Sequence, residues 1–204
     1  MIFTLAKDTK RVILKGNDET GGIDVDLTER MLESEIIFEG KVVKLRRDTV
    51  EVPGGAHAVR EVVEHPGGVG IVPVDEEGNV LLVRQFRYPM GRVVLEIPAG
   101  KLEPGEDHRV TAVRELSEEA GAEAGKLTYL GRAYASPGFC NESIHLYLAE
   151  ELTFGACHPD EDEFLEPERI PLEELTAMAL DGRLEDGKSV IGVLRAAAAR
   201  KKEG

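Results

Sequence analysis

Residues 100–121 read GKLEPGEDHRVTAVRELSEEAG. Pro104-Gly105 precede a run without helix breakers, acids stand at its start, and Gly121 follows as a C-cap signal, so the pattern predicts a helix over 106–120. At 100° per residue, Val110, Val113, Leu116 and Ala120 fall on one side, which is expected to be the core face. Glu115, Glu118 and Glu119 fall on the other, within an arc of roughly 100°. Glu115 and Glu119 are one turn apart, where like charges repel by a few tenths of a kcal/mol. The helix has no lysine to relieve this, and Arg114 pairs with only one glutamate, Glu118, at i,i+4. A divalent cation would balance the cluster. Carboxylate oxygens without imidazole or thiolate suit hard ions, so Mg²⁺ or Mn²⁺ is expected. A solvated acidic face is the plainer alternative. Against it stand the glycine-bearing approach over 100–105, Glu106 at the helix start, and an apolar strand that delivers the chain into this loop.

That strand is predicted over 93–97. Before it, the near-continuous apolar run VGIVPV (69–74) reads as a buried strand. The turn over 76–79 and the strand VLLVRQFR (80–87) suggest that 69–74 and 80–87 form a hairpin. Further upstream, 41–46, 49–52 and 58–64 are strand candidates punctuated by Pro53-Gly54-Gly55 and Pro66-Gly67-Gly68. Downstream, 127–133 and 143–149 return to strand, 156–163 is an acidic loop, and 172–180 and 190–201 are helices. Residues 1–35 form an extension with one short strand expected at 12–14. A small β region follows over 36–66, and the main domain runs over 67–204. The order implies an α/β sandwich preceded by a small antiparallel sheet.

The 204 residues bury a core without disulfides. Apolar residues make up 42 % and charged residues 31 %, which argues against disorder. Lysine and arginine number 25 against 39 acids, a net charge of −14. That field disfavours nucleic acid and anionic membrane as partners. Two cysteines make neither a disulfide framework nor a four-thiolate zinc site. No apolar run approaches the ~18 residues of a membrane span. The first residues do not read as a secretory signal, so a cytoplasmic protein is expected.

The carboxylate helix and its approach resemble the Nudix box: G, five residues, E, seven residues, R-E, an aliphatic, any residue, E-E, any residue, G, an aliphatic. Gly100, Glu106, Arg114-Glu115-Leu116, Glu118-Glu119 and Gly121 fill the pattern, and only Ala122 is smaller than usual. Pro137, sixteen residues after Gly121, resembles the mark of the ADP-ribose pyrophosphatase subgroup. REVVEHPG (60–67), QFR (85–87), IPAG (97–100) and DEDEF (160–164) are similar too. The resemblance covers about residues 36–200. It implies a Nudix α/β/α sandwich with a mixed sheet and hydrolysis of ADP-ribose to AMP and ribose 5-phosphate. Mg²⁺ or Mn²⁺, two or three ions per site, is the implied cofactor.

By the same resemblance, Glu115 and Glu119 are metal ligands, Glu118 is a third ligand or a neighbour of one, and the Ala99 carbonyl completes the shell. Arg114 either orients a box glutamate or contacts phosphate, the former being favoured. Glu106 braces the loop. Metal ligands accept protons poorly, so the general base is sought on the late loop, at Glu163 or else Glu161. Arg87 and Arg60 are candidates for phosphate contact, although Arg60 reads equally as an exposed strand charge. Glu142 would accept from ribose hydroxyls. Phe38 would stack on adenine or serve as ordinary core. A homodimer with exchanged N-terminal strands is implied, placing Phe38 and Arg60 in the neighbour's site. Competing readings are hydrolysis of another nucleotide sugar such as GDP-mannose, and a non-catalytic ADP-ribose sensor. Intact box glutamates and a C-terminus too short for a winged helix disfavour the sensor.

Overall fold

The computed structural model describes residues 26–157 and 164–203. The strand expected at 12–14 and the acidic residues 158–163, with Glu161 and Glu163, lie outside these. The apolar run is strand β4 (Gly68–Pro73), buried at every position. It lies inside a four-stranded mixed sheet, antiparallel to β7 (Ala99–Lys101) and parallel to β9 (Ser143–Phe154), with β8 (Ala122–Tyr134) beyond β9. Alternation along β4 and β9 splits the core into two layers. Val69, Ile71, Tyr147 and Ala149 face helix α1 (His108–Ala120) and pack on Ala112 and Leu116. Val72, Val74, Leu146 and Leu148 join Ile97, Leu175, Val193 and Ala196 on the opposite side. There α2 (Leu172–Asp181) and α3 (Gly187–Glu203) cover the sheet. A second sheet, β10 (Leu165–Pro171), β5 (Asn79–Arg87) and β6 (Arg92–Glu96), closes that layer. The result is the expected α/β/α sandwich.

Preceding it, β1 (Arg30–Glu39), β2 (Lys44–Glu51) and β3 (His57–Glu64) form an antiparallel sheet. The pieces expected at 41–46 and 49–52 are one strand, β2. Asp48, in its middle, is buried and takes a hydrogen bond from the Ser34 hydroxyl at 2.6 Å, so the polar centre does not break the strand.

The hairpin expected between 69–74 and 80–87 does not form. The two strands share one bridge, Val74 with Val80, at the turn. They then diverge because β4, apolar on both faces, has both edges occupied by β7 and β9, whereas β5 pairs with β6 and β10. No helix among the described residues is long and apolar enough to cross a membrane.

Candidate metal and phosphate site

Helix α1 starts at Asp107, whose side chain accepts from the Arg109 N–H, and ends at Gly121 in the left-handed conformation. The expected core face is half right: Leu116 and Ala120 pack into the core, but Val110 and Val113 do not. Val110 and Val113 are 58 % and 53 % exposed, whereas Glu115 and Glu119 are 8 % and 6 % exposed. Glu115 and Glu119 turn inward, onto β7. There the Ala99 N–H donates to Glu119 Oε2 at 2.9 Å. Glu115 lies directly over Gly100: a Cβ at that glycine would come 1.8 Å from Glu115 Cδ. Gly100 thus serves close approach.

Arg114 organises the outer side of this group. Its Nη1 lies 2.8 Å from both Glu115 Oε1 and Glu118 Oε2, and its Nη2 lies 3.6 Å from Glu106. Burial works against its charge, but Glu115, Glu118 and Glu106 outweigh burial and hold the guanidinium above its ordinary range. Three carboxylates therefore share one cation. Among the described residues, no three acidic, imidazole or thiol side chains close into a preformed cage. The donor set still fits a hard divalent ion: two inward carboxylates one turn apart, with backbone packed against both.

The far end of α1 is clamped. The Cys157 thiol donates to the carbonyls of Glu118 at 2.9 Å and Glu119 at 3.3 Å, and the Gly155 N–H donates to the Gly121 carbonyl. Burial, then the nearby Glu119 charge, pushes the Cys157 thiol up and keeps it a donor. A cleft of about 440 Å³ opens here, with Leu82, Glu119, Gly121, Phe154, Cys157 and Arg169 among its walls.

Arg87, at the end of β5, is not free. Its Nε and Nη2 each donate to Glu96 at 2.7 Å, a bidentate pair. Glu96 is 2 % exposed and also takes the Lys188 ammonium. Burial pushes the Glu96 carboxyl up, but Arg87 and Lys188 outweigh it and hold it below the usual carboxylate range. Sequence reading missed this group. Its one signal was an acid inside the apolar strand VVLEI.

The remaining candidates lie elsewhere. Phe38 is half exposed on β1, and Arg60 on β3 is held bidentate by Glu29 at 2.6 and 2.9 Å. The N-terminal sheet makes no sizeable contact with α1 within this chain. Glu142 approaches His65 Nδ1 at 3.4 Å. Its loop is tied to β3 by Val63 N–H to the Phe139 carbonyl and Asn141 N–H to the Val63 carbonyl. His108 stacks on His145 at 3.9 Å between centroids and bonds the Tyr147 hydroxyl.

Comparison with known proteins identifies the family. Residues 64–191 match the NUDIX domain, and residues 29–63 match the nucleoside diphosphate sugar hydrolase N-terminal domain. The chain is 43 % identical to an ADP-ribose pyrophosphatase of Bacillus subtilis (strain 168), over 82 % of this chain and 91 % of that one. It is 44 % identical to a methanol dehydrogenase activator of Bacillus methanolicus, over 81 % and 90 %. A GDP-mannose pyrophosphatase of Yersinia pestis (strain Pestoides F) is 32 % identical over 65 % of this chain and 72 % of its own. A solved structure described as an ADP compounds hydrolase superposes with TM-score 0.78 at 23 % identity, covering 90 % of this chain and 99 % of that one, and shares its fold. With Glu115 and Glu119 on the inward face of α1 and the domain match spanning most of the sequence, the chain belongs to the Nudix family of pyrophosphohydrolases.

Proposed function

We propose that this protein hydrolyses the pyrophosphate of ADP-ribose to AMP and ribose 5-phosphate. The observation that carries the reading is the placement of Glu115 and Glu119, both nearly buried and one turn apart, against Gly100 and Ala99, an all-oxygen donor pair suited to a hard divalent ion. The relative named as an ADP-ribose pyrophosphatase supplies the substrate class.

In this reading Glu115, Glu119, Glu118 and the Ala99 carbonyl hold Mg²⁺ or Mn²⁺, two or three ions in all. When bound, such ions neutralise the pyrophosphate and acidify water. Arg114 orients Glu115 and Glu118 through charge-assisted bonds. Glu163, or Glu161 as second choice, takes the proton from the attacking water. Arg87 keeps donors beyond the two spent on Glu96 and turns them to phosphate. Glu142 accepts from ribose hydroxyls.

The N-terminal sheet serves dimerisation and substrate binding. Exposed Met31, Ile36, Ile37, Phe38 and Val59 support a second copy seated there, with Phe38 and Arg60 completing the neighbour's site. The proposed division is an extension over 1–35, this β region over 36–66 and the catalytic domain over 67–204, with β1 beginning inside the extension at Arg30. Free Cys140 and Cys157 suit a reducing compartment, the cytoplasm.

Product analysis tests the reading. The protein is incubated with Mg²⁺ and ADP-ribose or GDP-mannose, beside Glu119→Gln. AMP from ADP-ribose, lost in the variant, is the expected result. Cleavage of GDP-mannose alone would favour the second reading, to which the Yersinia relative points. Binding of ADP-ribose without cleavage would mean a sensor.

A further inference from the structure

The buried Glu96 is the centre of a four-charge group that the metal site does not use. Arg87 and Lys188 both reach it. Lys188 also lies 3.0 Å from Asp186, so two cations balance two carboxylates. Asp186 caps α3 through the Ser189 N–H at 3.0 Å and accepts from the Ser189 hydroxyl. The same Ser189 oxygen accepts from the Ile97 N–H at 2.8 Å. Two residues further on, the Ala99 N–H holds Glu119. One stretch of backbone, residues 96–99, thus links both charged groups.

A buried ion pair seldom gains stability over an apolar pair of the same volume, so stability alone is a poor account of this quartet. Its exposure is graded: the side chains of Glu96 and Lys188 are 3 % and 10 % exposed, whereas Arg87 is 42 % exposed. Arg87, the member most open to solvent, also has donors left. A guanidinium has five N–H donors, and Glu96 takes two of them. A long arginine side chain loses much rotamer entropy when it binds an anion, and prior fixation removes that cost. Glu96 first, then the charges of Asp186 and Glu119, hold the Arg87 guanidinium above its ordinary range, so Arg87 feels one of the proposed metal-site carboxylates.

We propose that Glu96 is a positioning residue for phosphate recognition: with Lys188 as its counter-ion, it fixes Arg87 so that the remaining guanidinium donors meet the substrate's pyrophosphate. This rests on the pyrophosphohydrolase reading above. Glu96 touches no substrate and acts only through Arg87. Lys188 neutralises the second oxygen of Glu96, so that the carboxylate holds Arg87 without carrying surplus negative charge to the site.

The test compares the parent, Arg87→Ala, the double variant Glu96→Gln/Lys188→Met, and the triple variant. The double variant replaces the buried charges by neutral groups of similar shape. Calorimetry measures binding of inorganic pyrophosphate with Mg²⁺, and kcat and KM are measured on ADP-ribose. Arg87→Ala is expected to weaken pyrophosphate binding by about tenfold, the scale of one lost charge-assisted contact. The double variant should lose a similar factor, and adding Arg87→Ala to it should cost little more. KM should rise more than kcat falls. Parent-like affinity in the double variant, full additivity in the triple, or no pyrophosphate binding by the parent would overturn the inference. Should the double variant not fold, Glu96→Asp withdraws the carboxylate by one methylene and decides the matter: affinity should drop, and parent-like affinity overturns the proposal. If ADP-ribose is not cleaved while pyrophosphate binding follows this pattern, the substrate reading falls and the positioning role stands.

Discussion

Two groups of acids flank residues 96–100, and they are balanced differently. On the α1 side, Glu106, Glu115 and Glu118 gather around Arg114, while Glu119 accepts from a backbone N–H. On the α3 side, Glu96 and Asp186 meet Arg87 and Lys188 one for one. Each group has a buried core, Glu115 and Glu119 in one and Glu96 in the other, where an uncompensated charge is expensive. The balanced group is complete as protein alone and suits holding an arginine still. The group with surplus negative charge suits an added cation. Charge balance, rather than the number of acids, separates the two roles.

The largest effect should come from breaking the surplus. Glu119→Gln is expected to lower kcat by on the order of a thousandfold, since metal-assisted charge stabilisation is worth several kcal/mol. The same variant should not lower Tm in chelator, because an amide is cheaper to bury than a carboxylate. A large loss of Tm would show that Glu119 is structural.

Breaking the balance should act the other way. Glu96→Gln alone leaves Lys188 buried opposite a neutral amide, and urea unfolding should show a loss of roughly 3 kcal/mol, the low end for a broken buried pair because Arg87 is partly exposed. Adding Lys188→Met should restore most of it. Acid titration gives a second check. Arg87 and Lys188 outweigh burial and hold the folded Glu96 carboxyl below its ordinary 4.5, so its contribution is present above that pH and is lost as pH falls through the folded pKa. The double variant should be flatter in that range.

Gly100→Ala sharpens the geometric side of the comparison. Its Cβ would collide with Glu115, so that carboxylate must move. A displacement of about 1 Å costs on the order of a hundredfold in rate. Activity should fall by that factor while circular dichroism stays parent-like, and unchanged activity would dissociate Glu115 from catalysis.

The smallest effect concerns His145, outside both groups. Burial first, then His108 and Arg132, lowers its pKa from 6.5. The unfolded chain therefore takes up the proton first, and stability declines as pH drops below about 6.5 until the folded pKa is reached. His145→Gln should remove that slope from a Tm–pH series.

Much of this was readable in the residues. The helix, its Gly121 cap and the strands around it follow from periodicity and turn residues. The glutamates' common face follows from the 3.6-residue repeat. Its direction did not. Val110 and Val113 look like core, yet they lie outside while the acids lie within. Hydrophobicity ranks faces as if solvent were the only choice for charge, and a site that gathers charge inverts the ranking. The failed hairpin has a similar cause: apolarity on both faces of β4 indicates a central strand without naming its neighbours.

The sequence by itself determined the sandwich architecture, the helix carrying three glutamates at metal-binding spacing, and the Nudix membership later borne out by the domain match. Those are properties of local repeat and spacing, written along one stretch of chain. Only the tertiary structure decided that Glu115 settles over Gly100, that Cys157 reaches back to the end of α1, and that Glu96 meets Lys188 from 92 residues away. These contacts join segments distant in sequence, and their partners are chosen by packing and charge neutralisation in the folded interior, which no local pattern encodes.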